Sequence, residues 1–143
     1  MGISLTSNIV LYIILVLFGL LSILVLGWQI MVFRGKSMKN PDGTADDWHD
    51  QKLYYGIALA DIFIAVPVTL IGIIMIFLNF RIGYYITSLA SFWFLWTNIV
   101  TTATSLRFER PKITLTWFAV YPLGILVALA YISWSIIHFQ EIF

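Results

Sequence analysis

Leu53–Leu78 reads LYYGIALADIFIAVPVTLIGIIMIFL, an apolar run broken by one charge, Asp61. A helix crosses the hydrocarbon of a bilayer with about 20 mostly apolar residues. This run therefore predicts a transmembrane helix that carries a lone carboxylate. Three further stretches share the pattern without any charge, over about 8–33, 83–106 and 113–138. Bilayer hydrocarbon offers no water to backbone N–H and C=O groups, so each run must satisfy its own as a helix. The expected fold is all-α, a four-helix up-down-up-down integral membrane bundle forming one transmembrane domain over residues 1–143.

The connections predict the order of packing. Asn79 to Ile82 is a tight turn, which makes the second and third runs an antiparallel hairpin. Arg107 to Lys112 is a second short turn, with Pro111 suited to the first turn of the following helix. Arg34 to Lys52 is the one long loop. It holds the turn signal Asn40-Pro41-Asp42-Gly43 and then Thr44 to Lys52, which can form a short helix capped by Thr44. Arg34, Lys36, Lys39, Lys52, Arg107, Arg110 and Lys112 lie in the long loop and the last turn, against Arg81 alone on the other side. That bias puts these two connections in the cytoplasm and both termini outside.

Composition narrows the function. Of 143 residues, 61% are hydrophobic and 10% are charged, where a soluble domain carries about 25% charged residues. A net charge of +1, with bases and acids mixed in the loops, gives no surface for nucleic acid. Without cysteine there is no thiolate chemistry or Cys-held metal cluster. His49 and His138 fall on opposite sides of the membrane, so they cannot hold a haem between them, and no cofactor is expected. Asp46, His49 and Asp50 share a helical face and are plausible ligands for a divalent metal. Because lysines sit nearby, a solvated acidic face accounts for them better, and no metal site is assigned.

Inward seams were sought at heptad spacing, since membrane bundles pack at coiled-coil angles. The most polar and small-residue seams are Asn8, Tyr12, Leu15, Gly19, Ser22, Leu26 and Gln29; Tyr54, Ala58, Asp61, Ala65, Val68, Gly72 and Met75; Tyr84, Ser88, Ser91, Leu95, Asn98, Thr102 and Ser105; and Trp117, Tyr121, Gly124, Ala128, Tyr131, Ser135 and His138. Asp61 lies about eight residues, roughly 12 Å, into its helix. Equal depths on the third and fourth helices bring Asn98, Thr102 or Thr101, and Tyr121 to the same layer, with Gln29 on the first helix somewhat nearer the cytoplasm. An ionised carboxylate deep in a bilayer costs from about 2.5 kcal/mol upward, so it needs partners or water. The amides and hydroxyls of this layer can donate to it.

Asp61, Asn98, Thr102, Tyr121 and Gln29 are thus the candidate ligand- or ion-binding residues. The activity expected is transport of an ion, a proton or a small polar solute, or ligand binding, at the intramembrane carboxylate. The alternatives are a purely structural Asp61 that anchors helix to helix, and a non-catalytic accessory or assembly subunit of a larger membrane complex. An enzyme is disfavoured, because no acid–base pair, nucleophile elbow, phosphate loop or zinc motif is present. The expected partners are the lipid bilayer and either further copies of the chain or another membrane protein. The short loops and charge bias suggest a prokaryotic plasma (inner) membrane.

Pro67 and Pro122 are expected to kink their helices. Trp93 and Trp96 lie deeper and read as packing or lipid contacts, with the lining of a ligand pocket as the alternative. Tyr12, Tyr84, Tyr131, Ser135 and His138 form a second polar group near the outer ends.

Overall fold

The computed structural model describes residues 3–35, 48–109 and 112–143. Among them the chain is all-helical, with no strand. The helices are α1 (Leu5–Phe33), α2 (Trp48–Ala60), α3 (Val66–Phe77), α4 (Ile82–Thr104), α5 (Leu115–Val120), α6 (Pro122–Ile137) and α7 (Phe139–Ile142). Wider π-helical turns at Asp61–Ala65 and Ser105–Glu109 join α2 to α3 and extend α4. The turn at Asn40–Gly43, the Thr44 cap, the acids Asp42, Asp46 and Asp47, and Pro111 lie outside the described residues, as do the side chains of His49 and Asp50.

Local chemistry sets the helix ends. At the start of α1 the Ser4 hydroxyl accepts the Ser7 N–H at 3.3 Å, and at the start of α5 Thr114 does the same for Trp117 at 3.1 Å. Each cap satisfies a backbone donor that has no partner within the helix. The end of α3 is a Schellman turn. Asn79 has φ 61°, its N–H bonds the Ile76 carbonyl at 2.9 Å, and the Phe80 N–H returns to Met75 at 2.8 Å. Asparagine tolerates this left-handed backbone better than other residues with a Cβ. Asn79→Ala is expected to lower stability by about 1 kcal/mol and Asn79→Gly to preserve it, as read by denaturant unfolding in micelles.

This tight turn folds α3 onto α4, which also packs on α6; α1 packs on α2, α3 and α6. Close approach of α3 and α4 depends on two glycines. A Cβ at Gly83 would lie 2.7 Å from the Ile76 nitrogen and 2.8 Å from the Gly72 carbonyl. One at Gly72 would lie 2.5 Å from Thr87 Oγ1. Small residues at helix contacts allow this intimacy.

The interior holds many hydroxyls. Ser22, Thr69, Thr87 and Ser91 are fully buried, and each donates to the carbonyl four residues earlier, at 2.7–2.8 Å. A buried hydroxyl satisfied by its own helix needs neither water nor a partner helix. Leu11, Leu15, Phe18, Val66, Phe94 and Tyr131 fill the space between, with Phe18 edge-on to Phe94 at 4.9 Å. The outside is apolar: Leu20, Ile23, Leu24, Phe63, Ile64, Ile71, Phe92, Leu126 and Ile136 are all more than half exposed.

Two helical stretches are long and apolar enough to cross a membrane, Leu5–Phe33 and Tyr54–Phe77. The other two expected runs differ for identifiable reasons. The run over 113–138 is broken at Tyr121, where φ −104° and ψ −73° depart from the helix ahead of Pro122, leaving α6 with 16 residues. The 23-residue α4 is long enough, but Thr87, Ser88, Ser91, Thr97, Asn98, Thr101 and Thr102 make it markedly more polar. Its buried stripe is Gly83, Thr87, Ala90, Ser91, Phe94 and Thr97, largely one residue ahead of the expected seam. Contacts with both α3 and α6 set that face, and choosing the most polar seam passed over the small and aromatic residues that fill it. On α1, Tyr12 is 44% exposed and stacks on Phe77 at 5.5 Å, so it lies outside the seam expected to include it.

Candidate functional site

Asp61 opens the π-helical turn and is 4% exposed. The Val66 N–H reaches back to the Asp61 carbonyl, five residues away. Pro67 has no N–H to continue an ordinary α-helix, and its ring crowds the carbonyl four residues before it. A widened turn relieves that crowding. Such turns occur often at functional positions because they redirect side chains.

Both carboxylate oxygens of Asp61 accept from neutral donors. Gln29 Nε2 donates to Oδ2 at 2.8 Å, and Trp93 Nε1 donates to Oδ1 at 2.7 Å. One carboxylate thereby joins α1, the α2–α3 helix and α4. A hydrogen bond to a charged group contributes about 1.5–3 kcal/mol. Trp93→Phe keeps an aromatic side chain, smaller than the indole, and removes the donor, so a loss of at least about 1–3 kcal/mol is expected. In an Asp61→Asn background the same change is expected to cost less; that non-additivity, measured as a double-mutant cycle, reads the coupling directly.

Beside Asp61 lies a cavity of about 370 Å³. Trp28, Gln29, Tyr54, Asn98, Thr101 and Tyr121 contribute to its wall, together with aliphatic side chains of α1 and α5. Ala119, Val120 and Tyr121, at the break before Pro122, complete the wall. Tyr121 places its ring 5.5 Å from Trp117.

The expected layer is thus distributed unevenly. Gln29 and Asp61 are hydrogen-bonded, and Asn98 and Tyr121 line the same cavity. The Asn98 amide, however, is directed to α6. It fills the slot left by Gly124, where any Cβ would collide with it, and its Nδ2 donates to the Phe94 carbonyl at 2.8 Å. Thr102 is not part of the cavity wall; its Oγ1 is buried without a hydrogen-bond partner among the described residues. Thr101 lines the wall in its place. Trp93 was not anticipated as a partner of Asp61. The available signal was chemical, since a buried indole N–H seeks an acceptor and Asp61 is the one acid in these runs.

The second polar group is held by several hydrogen bonds. His138 bonds Ser7 through Nε2 and Glu141 through Nδ1, the latter at 3.2 Å. Trp134 Nε1 donates to the Ser7 carbonyl at 3.0 Å, and the Tyr131 hydroxyl donates to the Tyr84 carbonyl at 3.0 Å. The Ser7 bonds tie the start of α1 to the end of α6, and the Tyr131 bond ties α6 to α4. No group of three or more potential metal ligands occurs among the described residues.

Comparison with known proteins adds no relative: no family model, no curated protein and no solved structure matches this chain.

Proposed function

We propose that the chain is a multi-pass membrane protein, a four-helix bundle with both termini outside, that binds or carries a proton, an ion or a small polar solute at Asp61. The observation that carries this reading is a buried carboxylate held, among the described residues, by two neutral donors at the edge of a cavity. Intramembrane carboxylates are costly and mark pathways or binding sites. The membrane placement draws on the extensive apolar exterior, since soluble monomers seldom expose contiguous apolar patches beyond a few hundred Å². It also draws on the concentration of Lys and Arg in two connections. The α4 helix, more polar than a lone spanning helix, is acceptable in a bundle that buries its hydroxyl face. A prokaryotic plasma membrane is the host that fits short loops and this charge bias.

The test is reconstitution into vesicles with proton and sodium gradients, read by internal dyes. Uptake that Asp61→Asn removes supports the proposal. Vesicles no more permeable than protein-free ones, joined with copurification of a membrane partner that survives Asp61→Asn, support the accessory-subunit reading.

A further inference from the structure

We infer that the Asp61 cavity selects a protonated amine with an apolar body, a small amphiphilic monocation. The inference rests on the reading of Asp61 as a ligand site and adds the chemistry of the ligand.

Three features of the wall lead to it. The first is charge. No Lys, Arg or second carboxylate lines the cavity among the described residues, and both bonds to Asp61 come from uncharged groups. An ionised Asp61 would leave one negative charge that nothing in the wall balances. A buried charge without a partner is strongly unfavourable, so a monocation complements this wall and an anion is repelled.

The second is the direction of the hydrogen bonds. Thr97 and Thr101 spend their hydroxyl protons on carbonyls of α4, at 3.0 Å and 2.9 Å to the residue four earlier. With those protons spent, the two hydroxyls are left with oxygen lone pairs to offer, and Asp61 adds its own. This small group of acceptors on an otherwise apolar wall asks for a ligand that brings N–H donors, which an ammonium group does and a quaternary cation does not.

The third is the remaining surface. Leu21, Leu24, Val25, Val32 and Ile57 are aliphatic, and Trp28, Tyr54 and Phe94 bring aromatic rings. Metal cations such as calcium take six to eight oxygen ligands, and a wall this apolar does not supply them. An apolar body fits it, and aromatic faces near a cation add attraction. The volume of about 370 Å³ lies in the range of small-molecule sites, roughly 300–1,000 Å³.

The experiment is calorimetric titration of the purified full chain in nanodiscs with four naphthalene probes: 1-naphthylmethylamine, its N,N,N-trimethyl derivative, 1-naphthylmethanol and 1-naphthylacetate. The amine is expected to bind most tightly, the trimethyl derivative and the alcohol more weakly, and the acetate not at all. Asp61→Asn is expected to weaken the amine by at least about 30-fold, the lower end of losing one partner of a buried charge pair, and to leave the alcohol unchanged. Thr101→Val, which alters the acceptor wall without touching Asp61, is expected to weaken the amine more than the trimethyl derivative. Equal binding of amine and alcohol, or amine binding indifferent to Asp61→Asn, overturns the inference. If no probe binds while Asp61-dependent proton or sodium uptake persists, the amine is wrong and the Asp61 site stands. If neither binding nor uptake depends on Asp61, both fall.

Discussion

Asp61→Asn is expected to reduce uptake or ligand binding by about 100-fold or more, equivalent to about 3 kcal/mol, while the protein remains folded. The contrast follows from the two bonds that hold the carboxylate. A carboxamide has nearly the same shape, and its oxygen can accept the Trp93 N–H at the position of Oδ1, now 2.7 Å away. Its NH2 group then meets Gln29, whose side chain can turn its own amide to present oxygen in place of the nitrogen that donates at 2.8 Å. Stability is therefore expected to change by less than about 1.5 kcal/mol, the net scale of one hydrogen bond. The charge and the exchangeable carboxyl proton are gone, and with them the property proposed for the site. Asp61→Leu separates the two roles further. It leaves the Gln29 and Trp93 donors without an acceptor, and each unsatisfied buried group costs about 1–3 kcal/mol. Denaturant unfolding in micelles, run beside the uptake assay, distinguishes a variant that has lost function from one that has lost its fold.

Gly83→Leu is expected to have the largest effect on stability, a loss of about 3 kcal/mol or more, at the upper end for overpacked interiors. The neighbours of the missing Cβ are backbone atoms, the Ile76 nitrogen and the Gly72 carbonyl. They cannot rotate aside as a side chain would, so α3 and α4 must separate. Separation would also draw Trp93 away from Asp61, because α4 carries the indole and the α2–α3 helix carries the carboxylate. Gly83→Ala is expected to show the same trend at about 1–3 kcal/mol. Gly27→Ala serves as the control, since nothing lies within 4 Å of a Cβ built there. The check is the unfolding midpoint of the three variants, together with the fluorescence of Trp93 when the other tryptophans are replaced.

The parts of the structure legible in the sequence were those governed by local chemistry. Charge-free runs and the demand for internally satisfied backbone are enough for an all-helical chain. The tight turn that starts at Asn79 is readable, and residue counts put Gln29 close to the Asp61 layer, somewhat nearer the cytoplasm. What the sequence hid depends on how helices rotate and where they break. The π-helical turn at Asp61–Ala65 shifts the phase of every side chain after it, which heptad counting cannot register. Rotation of α4 toward Gly83, Phe94 and Thr97 follows from contact with two helices at once. That rotation, with the slot at Gly124, turns Asn98 away from the carboxylate and leaves Trp93 to take its place. Pro122 was visible as a kink beside the Asp61 layer, and the helix does break there, at Tyr121, which lines the cavity.

The proposed function requires Asp61 to sit beside a cavity within a membrane-embedded protein, with the apolar exterior facing lipid. The chain has no cysteine, so a single introduced thiol reports one position without ambiguity. Nitroxide labels at Phe63→Cys and Ala119→Cys in lipid bilayers, with collision rates measured for oxygen and for a water-soluble nickel complex, test the claim in one experiment. Phe63 is 64% exposed on the outside, and Ala119 lines the cavity. The account predicts that the Phe63 label meets oxygen and not nickel, whereas the Ala119 label meets less oxygen and loses mobility when 1-naphthylmethylamine is added. A Phe63 label open to nickel, or an Ala119 label as exposed to oxygen as the one at Phe63, would contradict it.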